Sequence, residues 1–239
     1  MKPLEGRLAV VTGASRGIGA ASATALAGAG ATVIRISRSL TEGTHGPYRD
    51  ICCDLSDAQA VVRAATRILG EWGTPYIVVQ NAGLFVLKPF EATEHSDLDQ
   101  QYALNVRAPF VLAQALLPAM RAAGAGIHVT IGSTSDHRAF PENSAYTASK
   151  FGVRGLHEAL AVEYAGTGVR FSLVSPGSTD TAAWDPINPD ARPGLLRRAL
   201  MLRPEDVAEA VVFIATRPPH ANVDWLRLSP NPADGSGGT

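Results

Sequence analysis

The chain has 239 residues, of which 46% are hydrophobic and 18% are charged. This composition supports a sizeable apolar core and excludes an intrinsically disordered chain. The 21 basic and 22 acidic residues leave a net charge of −1 and form no basic run, so neither nucleic acid nor an anionic membrane is expected as a partner. No apolar stretch has the length of a signal peptide or a membrane span, and we expect a soluble, cytoplasmic protein.

Short, β-branched apolar segments alternate with longer segments rich in Ala and Leu. Strands are predicted at 7–13, 31–37, 48–54, 76–83, 126–133, 169–177 and 225–230. Helices are predicted at 17–29, 57–71, 96–122, 144–165 and 204–216. Near-continuous apolar strands are typical of a parallel sheet that is covered by helices on both faces. The pattern therefore predicts an α/β, single-domain, Rossmann-type doubly wound fold of about seven parallel strands.

Local patterns add detail to this fold. The sequence "SDAQ" (56–59) is typical of a capping box, and Pro204 fits the first position of a helix. Three prolines interrupt residues 180–202, which we expect to form an irregular substrate loop. With no linker or internal repeat, residues 1–239 are predicted to form one domain that ends in a flexible tail at 231–239.

The first predicted strand leads directly into "TGASRGIG" (12–19) and then into a helix. Gly13 allows a sharp exit from the strand, Gly17 allows the backbone to approach a pyrophosphate, and Gly19 allows close packing of helix and strand. A helix N-terminus also supplies free N–H groups and a positive dipole end. At the first βα turn of a doubly wound sheet, this pattern favours a dinucleotide site over a purely structural turn.

The end of the second strand indicates which dinucleotide binds. Enzymes that use NAD typically place an acidic residue there for the ribose 2′-hydroxyl, whereas this strand ends with Ser37 and Arg38. A guanidinium can bind a 2′-phosphate through two hydrogen bonds, and Arg16 could reach the same phosphate. The alternative is two solvated surface arginines, but the lack of an acid favours NADP(H). Asp54, which ends the third strand, is expected either to accept a hydrogen bond from adenine or to cap the following helix.

The sequence "YTASK" (146–150) places Tyr146 and Lys150 four residues apart, on one face of a predicted helix. A tyrosine, with a reference pKa of about 10, donates a proton poorly at neutral pH unless its anion is stabilised. A cation about 4.5 Å away, at an effective dielectric constant of about 20, supplies roughly 3–4 kcal/mol. We therefore expect Lys150 to lower the pKa of Tyr146 by about 2 pH units before losses. The alternative is a packing tyrosine on a surface helix.

These motifs resemble the short-chain dehydrogenase/reductase family in their order and spacing. The matching segments are "TGASRGIG" (12–19), "NAG" (81–83), Asn105, Ser133, "YTASK" (146–150) and "PGSTDT" (176–181). The resemblance runs from residue 6 to about residue 230. It implies an NAD(P)(H)-dependent oxidoreductase that acts on a carbonyl or an alcohol, often as a homotetramer.

The resemblance also implies individual roles. Tyr146 would be the proton donor, and Lys150 would tune it and bind ribose hydroxyls. Ser133 would donate a hydrogen bond to the substrate oxygen, and Asn105 would hold a water that relays protons towards Lys150. With the glycine turn, the expected cofactor-binding residues are Gly13, Ser15, Arg16, Gly17, Ile18, Gly19, Ser37, Arg38, Asp54, Leu55, Asn81, Ala82, Gly83, Tyr146, Lys150, Pro176, Gly177, Thr179 and Thr181.

The substrate-binding residues carry a weaker sequence signal. Phe85 and Trp184 are the expected walls of a pocket for a small carbonyl or alcohol, while His137 and Phe140 are interpreted as ordinary loop residues near it. No histidine has metal-ligand spacing, so no metal is expected.

The leading hypothesis is an NADP(H)-dependent carbonyl reductase that forms a tetramer or a dimer. One alternative is a 3-oxoacyl-carrier-protein reductase, although "WLRLSPNPADG" differs from the Gly-rich ending of those proteins. The other alternative is a non-catalytic NADP-sensing protein, which would be expected to lose the Tyr or the Lys.

Overall fold

The computed structural model describes residues 2–231, which form an eight-stranded sheet with helices on both faces. The strands are β1 (Leu8–Thr12), β2 (Thr32–Ser37), β3 (Gly43–His45), β4 (Tyr48–Cys52), β5 (Ile77–Gln80), β6 (Gly126–Ile131), β7 (Val169–Pro176) and β8 (Trp225–Leu228). The helices are α1 (Gly17–Gly28), α2 (Ala58–Glu71), α3 (His95–Tyr102), α4 (Ala108–Ala122), α5 (Ser144–Glu163) and α6 (Pro204–Ala215). The sheet order is β3–β4–β2–β1–β5–β6–β7–β8.

The prediction of a doubly wound parallel sheet is confirmed, with one strand added. Seven strands run parallel, and β3 pairs antiparallel with β4 at the sheet edge. Gly46, at a φ of 58°, closes the tight hairpin between His45 and Tyr48. The sequence did not predict β3 because three residues, one of them glycine, carry no readable alternation of apolar and polar side chains.

Two apolar layers sandwich the sheet. On one face, Ile68 of α2 and Leu112 of α4 are completely or almost completely buried. On the other face, Leu26 of α1 and Val211 of α6 are fully buried. Burial of each such side chain contributes about 1.5–3 kcal/mol, which is why strands that are apolar on both faces require both helical layers.

The start of α2 differs from the prediction. Asp57 is the N-cap, and its side chain accepts a hydrogen bond from the Gln59 N–H at 2.8 Å, so the capping box assigned to 56–59 is wrong. The Ser56 hydroxyl instead donates to Asp54 at 2.7 Å, in the turn that leaves β4. The Pro204 prediction is confirmed, since α6 begins at that residue.

The helix predicted at 96–122 is interrupted by a π-helical turn at Ala103–Arg107, between α3 and α4. The disruption expected from Pro109 is confirmed, because proline has no N–H to continue the ladder of helical hydrogen bonds. By length and composition alone, His95–Ala122 is apolar enough to cross a membrane. Leu116 and Leu117 of this segment are buried in the core, as in a core helix of a folded domain.

The segment 180–202 is irregular, as predicted. It contains three short 3₁₀ turns at Ala182–Trp184, Pro189–Ala191 and Arg198–Leu200. The Arg198 guanidinium lies 2.6 Å from a carboxylate oxygen of Asp180 and 2.6 Å from one of Asp185, which folds the segment back on itself. Apart from Asn231, the predicted tail lies outside the described residues.

Candidate active site

A cleft of about 2100 Å³ follows the carboxyl edge of the parallel strands. It lies where the strand order reverses, with β2 on one side of β1 and β5 on the other. Crevices at such switch points are the usual ligand sites of doubly wound sheets. A small-molecule site typically measures about 300–1,000 Å³, so this cleft has room for a dinucleotide and a substrate together.

Glycines form the floor of the cleft after β1. Gly13 and Gly17 adopt left-handed φ values of 66° and 55°, and a Cβ on Gly17 would lie 3.1 Å from Thr181. A Cβ on Gly19 would lie 2.3 Å from the Gly13 carbonyl oxygen, so that residue must be glycine for α1 to pack against the turn. Arg16 precedes α1 and its side chain does not cap the helix, which leaves the first N–H groups available to an anion. This cradle fits the pyrophosphate of a dinucleotide.

Hydroxyl and guanidinium groups lie at the end of β2. The Ser15 and Ser37 hydroxyl oxygens are 2.9 Å apart, and Ser39, which sequence analysis missed, lies 3.4 Å from Ser37. Arg16 and Arg38 line the same end of the cleft. Arg38 is exposed and lies 3.9 Å from Asp54, a distance at which an exposed ion pair contributes little.

Asp54 forms a turn and does not cap α2. Its carboxylate accepts hydrogen bonds from the Ser56 hydroxyl at 2.7 Å and the Ser56 N–H at 2.9 Å. These bonds, together with the neighbouring Arg38 charge, lower the pKa of Asp54. The helix-capping alternative is therefore wrong, and the adenine contact stays a prediction.

The segment 81–83 joins two strand ends. The Asn81 amide donates to the Thr12 carbonyl at 2.9 Å, and the Thr12 hydroxyl accepts from the backbone N–H groups of Asn81 and Ala82. A Cβ on Gly83 would lie 3.3 Å from Asn105 and 3.9 Å from the Lys150 ammonium. The absence of a side chain at position 83 therefore keeps this wall of the cleft open.

Asn105 is buried in the π-helical turn, behind the cleft wall. Its amide oxygen accepts from the Leu84 N–H at 2.7 Å, and its amide nitrogen donates to the Leu84 carbonyl and to the Ser149 hydroxyl. The backbone-satisfying role that we weighed for Asn105 is thus present. The proton relay through Asn105 stays a prediction.

Ser133, Tyr146 and Lys150 meet at the carboxyl end of β6. Ser133 follows that strand, and the two others lie in the first turns of α5. The Ser133 hydroxyl lies near enough to Tyr146 to lower the pKa of the phenol, and the Lys150 ammonium donates to the Ile131 carbonyl at 3.0 Å. All three residues line the cleft, as does every expected cofactor residue except Gly19.

The pKa shifts differ from the expectation. Burial raises the pKa of Tyr146 to about 12; the Ser133 hydrogen bond opposes this shift and the nearby Asp136 carboxylate adds to it. Burial lowers the pKa of Lys150 to about 8, which Asp136 opposes. The pKa of Tyr146 therefore lies above its reference value and not about 2 pH units below it. Desolvation of the buried phenol, a loss left out of the Coulomb figure, dominates, and the ammonium lies 5.6 Å from the phenol ring centroid.

Sequence analysis missed Asp136, whose side chain is fully buried below Ser133. Its carboxylate accepts from the Ser133 N–H at 3.0 Å and from the Ser175 hydroxyl at 2.6 Å. A Cβ on Gly132 would lie 2.1 Å from this carboxylate, so the glycine makes room for the charge. The available signal was "STSD" (133–136), which has the spacing of a capping box.

Aromatic rings form the substrate end of the cleft. Phe85 lies edge-on to Tyr146, with ring centroids 4.9 Å apart, and edge-on to Trp184, with centroids 5.0 Å apart. Phe85 thus lies beside the tyrosine, and Trp184 lies against Phe85. Arg192 of the substrate loop forms an ion pair with Glu142, which sequence analysis did not single out, and both residues line the cleft.

A dinucleotide-sized cleft with Ser, Tyr and Lys converging at its centre defines a nicotinamide-dependent oxidoreductase of CH–OH and C=O groups. Residues 7–192 match the family described as short chain dehydrogenase. The chain belongs to this short-chain dehydrogenase/reductase family, and it is an NAD(P)-dependent oxidoreductase that acts on CH–OH groups.

Similar proteins cover most of the chain. "D-threitol dehydrogenase" of Mycolicibacterium smegmatis is 36% identical over 226 residues, which cover 89% of this chain and 87% of that protein. A metagenomic short-chain oxidoreductase in complex with NADP is 32% identical, with a TM-score of 0.81, over 96% of this chain and 99% of that one. The 3-ketoacyl-(acyl-carrier-protein) reductase of Brucella melitensis, complexed with NADH, is 26% identical, with a TM-score of 0.81, over 94% and 97% of the two chains.

Proposed function

We propose that the protein is an NADP(H)-dependent reductase of a small carbonyl compound, reversible as an alcohol dehydrogenase, with Tyr146 as its acid and base. One observation carries this proposal: Ser133, Tyr146 and Lys150 converge beside the aromatic wall of a cleft that fits a dinucleotide. Bound NADPH supplies the hydride to the carbonyl carbon. The residues of the chain supply the proton, the orientation and the exclusion of water.

In this proposal, the Tyr146 hydroxyl donates its proton to the carbonyl oxygen, which becomes the alcohol. A pKa raised to about 12 keeps the phenol protonated at neutral pH, so Tyr146 carries the proton that carbonyl reduction requires. Ser133 donates a hydrogen bond to the same oxygen and stabilises the developing charge. Lys150, with a pKa of about 8, is largely an ammonium at neutral pH and lowers the cost of the phenolate formed.

The NADP(H) preference rests on the end of β2. No acidic side chain follows that strand directly, and the serine hydroxyls, Arg16 and Arg38 together suit a phosphate. The similar metagenomic oxidoreductase, whose structure contains NADP, supports this assignment, whereas the Brucella structure contains NADH. The other expected cofactor residues that line the cleft are proposed to hold the remainder of the dinucleotide.

Charge reversal at Arg38 tests this preference. We expect Arg38→Asp to raise the KM for NADPH at least about tenfold while the KM for NADH changes little, because a charge-assisted hydrogen bond to the phosphate is lost and repulsion is gained. The matched control is Arg63→Asp, an exposed arginine of α2 that does not line the cleft. An unchanged KM for NADPH in Arg38→Asp would show that this residue does not bind the 2′-phosphate.

A 3-oxoacyl-carrier-protein reductase is the second candidate, which the structural similarity to the Brucella enzyme favours. A carrier protein would need a free basic patch at the cleft entrance. Two of the nearby arginines are already neutralised, since Arg198 pairs with Asp180 and Asp185 and Arg192 pairs with Glu142. A small-molecule substrate therefore ranks first, and the name of the Mycolicibacterium relative supports it. Turnover of a ketone panel against 3-oxoacyl thioesters, with NADPH absorbance as the readout, decides between them.

We also propose a homo-oligomer, a tetramer or a dimer, in the cytoplasm. Tyr102 of α3, Phe110 of α4 and Phe151 of α5 are exposed aromatic residues, at 40%, 50% and 47%, and Tyr102 and Phe110 also line the cleft. Both cysteines are free thiols, which suits a reducing compartment. Light scattering coupled to gel filtration is expected to give a mass of two or four chains, and the mass of a single chain would contradict it. The alternative of a non-catalytic NADP-sensing protein is set aside, because Tyr146 and Lys150 are both present in the cleft.

A further inference from the structure

The turn after Ser133 carries a histidine that the proposed mechanism does not use. His137 lines the cleft, and its Nδ1 lies 2.7 Å from a carboxylate oxygen of Asp136. Its ring stands edge-on to Trp225, with centroids 5.2 Å apart and an interplanar angle of 82°. The imidazole is therefore held on one side by the Asp136 carboxylate and on the other by the Trp225 ring.

Asp136 is itself held firmly. Its second carboxylate oxygen accepts from Ser133 and Ser175, and the Ser175 hydroxyl accepts from the Trp225 indole N–H at 2.8 Å. The Arg154 guanidinium donates to the Asp136 carbonyl and lies 4.5 Å from the Trp225 ring centroid. These bonds connect β6, β7, β8 and α5, so the histidine stands on a rigid support of the kind that binding sites need.

The bond to Asp136 determines what the other ring nitrogen can do. A carboxylate only accepts hydrogen bonds, so Nδ1 of His137 carries a proton. In the described residues, Nε2 makes no hydrogen bond and is not among the buried atoms that lack a partner, and the side chain is 20% exposed. Nε2 is therefore not fully buried, and the residue lines the cleft. It accepts a hydrogen bond when the ring is neutral and donates one when the ring is charged.

Ser133 and His137 bracket one 3₁₀ turn, Thr134–Asp136. Such a turn rises about 2 Å per residue, so their Cα atoms lie at most about 8 Å apart along it. A substrate whose carbonyl oxygen meets Ser133 can therefore extend a second polar group to His137 within a few carbon atoms.

We propose that His137 is a specificity-determining residue, positioned by Asp136, that binds a second hydroxyl group of the substrate one to three carbons from the reacting carbonyl. The substrate class is then a hydroxyketone or hydroxyaldehyde, and the product is a diol. This inference rests on the proposed carbonyl reduction and deepens it.

A hydroxyl fits this position better than a carboxylate does. A hydroxyl both donates and accepts, so it pairs with Nε2 of His137 in either charge state of the ring, whereas a carboxylate pairs only with the charged ring. Arg192 and Arg138 also line the cleft; Glu142 neutralises Arg192, and the Arg138 guanidinium lies over the Phe140 ring, 5.3 Å from its centroid. The proposal therefore assigns a neutral polar group to His137.

The test compares 2-butanone with 3-hydroxy-2-butanone and 4-hydroxy-2-butanone, which differ from it by one hydroxyl. For the parent enzyme, we expect the kcat/KM of at least one hydroxyketone to be about tenfold above that of 2-butanone. One well-placed hydrogen bond accounts for a ratio of this size. His137→Asn keeps an amide near the Nδ1 position but loses the group at Nε2, and the ratio is expected to fall close to one. His137→Gln, whose longer amide reaches the Nε2 position, is expected to restore part of the ratio.

His220→Asn is the matched control, since this histidine is exposed and lies outside the cleft. It is expected to keep both the rates and the ratio. A parent ratio near one, a ratio that survives in His137→Asn, or a ratio that is lost only in Arg192→Gln would each overturn the proposal.

Binding of 2,3-butanediol and 2-butanol to the NADPH-loaded protein, a combination that cannot react, decides the same question without turnover when measured by ligand-observed NMR. Stronger binding of the diol, lost in His137→Asn, supports the proposal, and equal binding overturns it. Absence of turnover with every carbonyl and both cofactors contradicts the proposed function, so the two failures are distinguishable.

Discussion

Asp136 is a buried negative charge that acts on both ionisable groups of the site, Tyr146 and Lys150. The charge raises the pKa of Lys150, which burial alone would lower further, and thereby favours the ammonium. It also raises the pKa of Tyr146 and thereby favours the phenol. Both effects favour carbonyl reduction at neutral pH, which requires a protonated tyrosine beside a charged lysine.

Asp136→Asn tests this electrostatic role. Removal of the carboxylate lowers the pKa of both Tyr146 and Lys150, so the active protonation state is lost at a lower pH. We expect the alkaline limb of the profile of kcat/KM for carbonyl reduction to move towards lower pH. Asp136 is the charged group that acts on the pKa of both residues, and His137 lies against Asp136. Asp136→Glu is the control that keeps the charge.

An unchanged alkaline limb in Asp136→Asn, with the variant folded by circular dichroism, would show that the carboxylate acts through hydrogen bonds alone. An equal loss of activity at every pH would also show that the carboxylate acts through hydrogen bonds alone. Only a displaced limb reports the charge, because a merely structural role does not alter the pKa of a distant phenol or ammonium.

At the scale of the elements, the connection from β1 to α1 determines both stability and cofactor binding. The start of α1 approaches the turn so closely that a Cβ on Gly19 would lie 2.3 Å from a backbone oxygen and 2.5 Å from the Asn81 amide. The last residue of the same helix, Gly28, has no atom within 4 Å of an added Cβ. The two glycines therefore form a matched pair.

We expect Gly19→Ala to lower the free energy of unfolding by about 1–3 kcal/mol, the usual cost of overpacking. It should also weaken dinucleotide binding, because the turn must shift. Gly28→Ala is expected to leave the free energy of unfolding unchanged or to raise it by up to about 1 kcal/mol, since alanine favours a helix. Urea unfolding of both variants is the measurement, and equal effects would contradict the packing role of Gly19.

The π-helical turn that interrupts the helix around Asn105 orients a side chain next to the site. The π-helical turn directs a buried amide to the Leu84 backbone and to Ser149, which lies next to Lys150 in α5. Isolated π turns are frequently found at functional sites. The sequence indicated a disruption through Pro109 but not its form, because a π turn depends on tertiary contacts that local propensity does not contain.

At the scale of the whole molecule, the sequence predicted the sheet, both helical layers and the place of the cleft. Those features depend on long apolar runs such as 31–37 and on the glycines of 12–19, which are local signals. It could not predict Asp136, because the role of that residue comes from Ser175 on a distant strand. It also gave the wrong direction for the pKa of Tyr146, because burial is a property of the fold and was absent from the pairwise estimate.

The proposed function depends on the transfer of one proton, that of the Tyr146 hydroxyl. Three separate elements, β6, its following turn and α5, bring Ser133, Tyr146 and Lys150 to the cleft, and the proposed function requires Tyr146 to transfer the proton. A phenylalanine at this position keeps the ring contact with Phe85 and removes only the hydroxyl.

The most direct measurement is single-turnover and steady-state carbonyl reduction by Tyr146→Phe, together with its dissociation constant for NADPH. We expect turnover to fall about 10²-fold or more, the usual contribution of a general acid, while the dissociation constant stays within about threefold of the parent. Tyr164→Phe, at the other end of α5 and outside the cleft, is the control and should retain parental turnover. Turnover of Tyr146→Phe within about tenfold of the parent would contradict the account.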